Sequence, residues 1–135
     1  MPHHTQRVVV LGASPKTDRY SYRAVSMLKE YGHEVIPIHP REKEILGCKV
    51  QPSLAAVQGP VDTLTVYVGP ARLQPLIPHI IDLAPQRIIL NPGTESEEVQ
   101  QALRTASINV VNGCTLVMLR SDQFGLDSNG SSLTP

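Results

Sequence analysis

The sequence predicts an α/β fold: a Rossmann-like open parallel sheet of about five strands with helices on both faces. Three observations predict it. Short apolar or β-branched runs recur along the 135 residues, and stretches with apolar side chains at helical spacing separate them. Glycine or proline then stands at the end of most of the runs, where a strand must turn toward a helix. Alternation of this kind with right-handed crossovers gives a sheet covered on both sides.

The elements follow in order. Val8-Val9-Val10-Leu11 is continuously apolar and ends at Gly12, so Arg7 to Gly12 is a strand buried on both faces. Ala24, Met27, Leu28 and Tyr31 recur at i, i+3, i+4 and i+7, with Gly32 as terminator; they predict a helix from Ser21 to Tyr31, with Ser21 a candidate cap. His33 to Ile38 is the second strand, in which Pro37 lacks an amide donor and suits a sheet centre poorly. Residues 39–62 carry Pro40, Gly47, Pro52, Gly59 and Pro60, and offer only Ser53 to Val57 as a short helical piece.

Thr63 to Val68 alternates and is β-branched, making a third strand. The stripe Leu73, Leu76, Ile77, Ile80, Ile81 and Ala84 is helical in spacing, but Pro75 and Pro78 predict a late start or a kink. Arg87 to Leu90 is the fourth strand and Asn91-Pro92-Gly93 a turn; Thr94 with Glu97 forms a candidate capping box before a helix through Val99, Ala102, Leu103 and Ala106. Ile108 to Asn112 is the fifth strand, and Cys114 to Leu119 a last short apolar element. Residues 1–125 are expected to form one domain, with 126–135, polar from Ser128 onward, as a disordered tail.

Composition narrows the function. With 12 basic and 12 acidic residues and no run of either sign, nothing suggests attraction to nucleic acid or to a membrane surface, so an anionic ligand must be met locally. The apolar run after Arg7 is too short for a signal-peptide core or a membrane span, which predicts a cytoplasmic protein. Cys48 and Cys114 form no Cys-x-x-Cys pair, and His3, His4, His33, His39 and His79 are scattered, without metal-ligand spacing or an evident nucleophile–base pair. Inert thiols, no metal and no catalytic set are the expectation.

In an open parallel sheet, ligands bind beyond the carboxyl ends of the strands. The loops to examine are therefore Gly12-Ala13-Ser14-Pro15-Lys16, His39-Pro40-Arg41, Val68-Gly69-Pro70 and Asn91-Pro92-Gly93. Small Gly12, Ala13 and Ser14 allow close backbone approach to a phosphate, and the helix beyond supplies free amides and a positive dipole end. Lys16 and Arg19 add charge, and Tyr20 stands beside them. Taken alone, the loop fits an ordinary strand-to-helix turn equally well. A dinucleotide site normally has Gly-x-Gly-x-x-Gly and an acidic residue at the second strand end; here the later glycines are missing and His39-Pro40-Arg41 replaces the acid, which disfavours NAD. Arg41 suits a ribose phosphate instead, as in NADP or coenzyme A, or is a solvated surface arginine.

An ordered series carries a family resemblance: Gly12-Ala13-Ser14, Arg19-Tyr20-Ser21-Tyr22-Arg23-Ala24, Gly32-His33-Glu34-Val35-Ile36-Pro37-Ile38, Glu44-Ile45-Leu46-Gly47, Pro52-Ser53-Leu54 and Val61-Asp62. From Val8 to Cys114 the chain resembles the small coenzyme A (CoA)-binding proteins, relatives of the nucleotide-binding domain of the succinyl-CoA synthetase α-subunit. The resemblance implies that the Gly12 loop, with Ser14, holds the pyrophosphate. It implies also that Arg41 and Val68-Gly69-Pro70 shape the adenosine site, and that the loop with Asn91 and Gly93 completes the cleft. The family reads Asn-Pro where this chain has His39-Pro40, a departure at the adenine contact, and often has a glutamine-containing sequence near Asn91. The synthetase relatives use a phosphorylated histidine on a further domain, for which this chain has no room.

The resulting expectation is a module that binds CoA or an acyl-CoA without catalysis, as a possible homo-oligomer or beside a CoA-using enzyme. The alternatives are an NADP-linked oxidoreductase using the same loop, and a scaffold or regulatory subunit with a degenerate pocket.

Overall fold

The computed structural model describes residues 5–126. The continuous valine run becomes β1 (Arg7–Leu11), with Val8, Val9 and Val10 fully buried. Burying an apolar side chain of this size contributes about 1.5–3 kcal/mol, and β1 is covered on both faces because helices pack on each side of the sheet. Its neighbours are β2 (Glu34–Ile38) and β5 (Thr63–Val66), both parallel to it; β6 (Arg87–Leu90) and β7 (Asn109–Asn112) continue the sheet in the order β2-β1-β5-β6-β7. The order reverses between β1 and β5, where the chain returns from one edge to build the other half.

Strand alternation sorts the core into two layers. Val9, Leu11, Leu64, Val66, Ile88 and Leu90 pack with Leu73, Ile80, Val99 and Leu103 on one face. Those four come from α2 (Pro70–Leu73), α3 (Ile77–Leu83) and α4 (Glu97–Thr105). Val8, Val10, Val35 and Ile89 pack on the other face with Val25 and Leu28 of α1 (Tyr20–Glu30) and Met118 and Leu119 of α5 (Thr115–Arg120). The α/β architecture with helices on both faces is thus present as read from the sequence.

Local departures have physical causes. Pro37 is tolerated because β2 is an edge strand: Gln51 donates its amide to the Pro37 carbonyl at 3.0 Å, so the side of Pro37 that would carry the N–H faces away from β1. Helix α1 starts at Tyr20, one residue earlier than predicted; Ser21 is buried in its first turn and is not the N-cap, which is Arg19 without a side-chain bond. The capping-box reading of Thr94 is likewise corrected. Thr94 donates its hydroxyl to the Asn91 carbonyl at 2.8 Å, and the Ser96 hydroxyl, two residues later, accepts from the Val99 amide to cap α4. The proline-bearing stripe breaks as expected, into α2, a 3₁₀ turn at Gln74–Leu76 and α3, with proline in the first turn of each.

The segment 39–62 holds a hairpin that the sequence did not suggest, β3 (Glu44–Ile45) and β4 (Cys48–Lys49). Its turn residues, Leu46 (φ 53°) and Gly47 (φ 78°), both have positive φ, as a type I′ turn requires. Glycine supplies that at one position only; leucine at the other hid the turn. The expected tail, Ser128 to Pro135, lies outside the described residues.

Candidate ligand-binding cleft

The carboxyl ends of β1 and β5, where strand order reverses, open into a cleft of about 870 Å³. Gly12, directly after β1, has φ +86°, and a Cβ there would lie 2.8 Å from Val68 Cγ1 and 3.1 Å from the Tyr67 carbonyl carbon. Glycine is therefore required first by the chain crossing β5, where the Tyr67 amide donates to the Leu11 carbonyl at 2.9 Å. Beyond it Ser14 accepts the Lys16 amide on its hydroxyl oxygen at 3.1 Å, and Lys16 accepts the Arg19 amide on its carbonyl. These bonds fold the loop back to the start of α1 and leave the Ser14 hydroxyl proton for another acceptor.

The cleft wall includes Gly12, Ala13, Ser14, Lys16, Arg19 and Tyr20 from the first loop, His39, Pro40 and Arg41 from the second, and Val68 from the third. From the fourth loop only Pro92 lines it, and residues that sequence reasoning did not nominate line it as well: Pro52, Ser53 and Leu54 after the hairpin, Tyr67, Arg72 and Leu76, and Thr94. Arg72 had a signal that was passed over, a cation one helical turn after a strand-end glycine. Among these lining residues Lys16, Arg19, Arg41 and Arg72 are cationic and none is a carboxylate, within a chain whose formal charge is zero. Such a concentration favours a ligand with several negative charges.

Four nominated residues do not line the cleft: Gly69, Pro70, Asn91 and Gly93. Gly69 and Pro70 are used to start α2. Gly93 donates its amide to Glu95 Oε1 at 2.8 Å in an exposed turn. Asn91 is only 2 % exposed and its side chain is consumed inside the fold. It donates to Thr65 Oγ1 and the Val66 carbonyl at 2.7 and 2.8 Å, and accepts from the Thr115 amide at 2.9 Å. Asn91 is thus a brace tying β6 to β5 and α5, in place of the ligand contact expected of it.

Beside that brace the Thr65 and Thr115 hydroxyls share a 2.7 Å hydrogen bond. The phenol of Tyr67 reaches their neighbourhood, yet its buried oxygen has no hydrogen-bond partner of proper geometry among the described residues. Burial pushes the phenol up to about 12, and the nearby Thr115 and Thr65 hydroxyls offset that only in part.

His39 has a defined role in its loop. Its Nδ1 accepts the Arg41 and Glu42 amides, each at 3.0 Å, which makes Nδ1 the unprotonated nitrogen and Nε2 the protonated one. His33 sits at the opposite end of the sheet, where its Nδ1 accepts the Gln6 amide at 3.0 Å. Among the described residues no group of three or more His, Cys, Asp and Glu could hold a metal ion, and no helix is long and apolar enough to cross a membrane.

A family model described as a CoA binding domain matches residues 6–120. The chain belongs to that family. It is similar to the uncharacterized protein YneT of Bacillus subtilis, 27% identical over 107 residues that make up 79% of each chain. It is also similar to a crystal structure of an uncharacterized protein, at 40% identity and TM-score 0.84, covering 90% of this chain and 100% of that one. A dinucleotide-forming acetyl-coenzyme A synthetase of Ca. Korarchaeum cryptofilum, solved with phosphate and ADP, shares the fold. The likeness is at 20% identity and TM-score 0.69, over 80% of this chain and 25% of the synthetase. The CoA-binding domain family is the one that the strand-end residues resemble.

Proposed function

We propose that this member of the CoA-binding domain family binds CoA or an acyl-CoA in the cleft at the β1–β5 reversal, without chemistry of its own. In this reading the amides and hydroxyl of residues 12–14 take the pyrophosphate, and Arg41 takes the ribose phosphate, with Arg72 as a further cation at the wall. The observation that carries it is the set of four cations with no carboxylate around a loop whose backbone is open to phosphate. Absence of catalysis is supported by His39 at the cleft wall, whose Nδ1 is occupied by two backbone amides and so cannot serve as a base there. The ligand is a soluble nucleotide met in the cytoplasm, and the protein acts as a homo-oligomer or beside a CoA-using enzyme.

Calorimetric titration with CoA tests this. Saturable binding is expected for the native protein, and at least a tenfold loss, roughly the worth of one charge-assisted hydrogen bond, is expected for Ser14→Trp with an unchanged circular dichroism spectrum. No heat at millimolar CoA, or full affinity in the folded Ser14→Trp variant, contradicts the reading. Titration with NADPH is expected to give no response.

A further inference from the structure

We propose that His39 is a positioning residue whose ring fixes the turn carrying Arg41, and that it thereby sets a preference for nucleotides bearing a ribose phosphate. The inference rests on the CoA reading above. Its structural half, the state of the ring, does not.

The turn is short and held at three points. His39 donates its own amide to the Gln51 carbonyl at 3.1 Å, and Lys43 accepts the Val50 amide on its carbonyl at 3.0 Å, so both ends are tied to the hairpin side. Between them the Arg41 and Glu42 amides converge on His39 Nδ1. This is the geometry of an Asx turn, in which a side-chain acceptor at the first position bonds amides two and three residues on. Asparagine at this position would make the same bonds through Oδ1. The imidazole nitrogen stands in for that oxygen.

Two consequences follow. First, the ring is confined to the Nε2–H tautomer, because Nδ1 faces two donors, so the nitrogen left to meet a ligand at the cleft wall is a donor. Asparagine also keeps a donor, its Nδ2, once Oδ1 is engaged, so both functions survive the exchange of residue. Second, residues 40–42 are exposed, so water can satisfy the amides if the ring is removed. The cost of losing the ring falls on the order of the turn and on the placement of Arg41 rather than on the fold.

The test compares CoA with 3′-dephospho-CoA for native protein, His39→Ala and His39→Asn, all checked for unchanged thermal unfolding. Native protein is expected to favour CoA. His39→Ala is expected to lose roughly tenfold of that preference, the worth of about two exposed backbone hydrogen bonds, and His39→Asn to retain it. Equal preference in His39→Ala and native protein, or His39→Asn as poor as His39→Ala, overturns the proposal. Imidazole nitrogen chemical shifts of the ligand-free protein give a readout independent of CoA. The Nε2–H pattern at His39 is expected, and the Nδ1–H pattern overturns the proposed turn. Failure of the native protein to bind CoA would instead remove the CoA reading while leaving the tautomer result to stand or fall alone.

Discussion

Single residues carry the parts of the site that the sequence left hidden. Gly12 stands in a loop that looked phosphate-friendly, but its immediate requirement is the crossing over Tyr67 and Val68, a long-range contact that no local pattern could display. Asn91 looked like a strand-end ligand group and is instead spent on Thr65, Val66 and Thr115, because a polar side chain that is buried must find partners. Tyr67 is the exception to that rule and makes a prediction. Its neutral form is favoured by burial, so its contribution to stability is fully present below the ordinary value of 10 and is lost as pH rises toward about 12. Tyr67→Phe is expected to flatten that alkaline loss. It should also leave neutral-pH stability unchanged or raised by about 1 kcal/mol, since a buried hydroxyl without a partner is removed. Chemical denaturation across this pH range measures both; a steep alkaline loss that persists in the variant would contradict the assignment.

At the scale of elements, the strands were the most legible, because a buried parallel strand is a continuous apolar run and Val8 to Leu11 and Ile88 to Leu90 are read directly. Helix starts were less so. Thr94 with Glu97 has the spacing of a capping box, yet the turn at Asn91 captures the Thr94 hydroxyl and passes the cap to Ser96. Ser96→Ala is therefore expected to lower unfolding free energy by about 1 kcal/mol, and Ser96→Asp to preserve it. Urea denaturation of the two variants decides it, and a neutral Ser96→Ala would return the cap to Thr94. The hairpin Glu44 to Lys49 escaped because strands of two residues have no period to detect and Leu46 is an uncommon occupant of a positive φ.

For the molecule as a whole, the fold determines where a ligand can go and the charge pattern determines what kind. The return of the chain from β2 to β5 leaves the ends of β1 and β5 free of a covering crossover, and the loops gathered there bring Lys16, Arg19, Arg41 and Arg72 together from distant parts of the sequence. Lys16, Arg19 and Arg41 were readable as members of strand-end loops. Arg72 was readable too, as a cation one helical turn after the strand-end Gly69, and was passed over; the Pro52-Ser53-Leu54 wall was not, because its place depends on how the chain after the hairpin folds back to the cleft. The central claim is that this cleft holds CoA with its pyrophosphate on the loop after β1. A crystal structure of the protein with CoA tests it most directly. The account predicts the pyrophosphate against the amides of residues 12–14 and the ribose phosphate within hydrogen-bond reach of Arg41; CoA seated elsewhere, or in the cleft with its phosphates turned away from that loop, would contradict it.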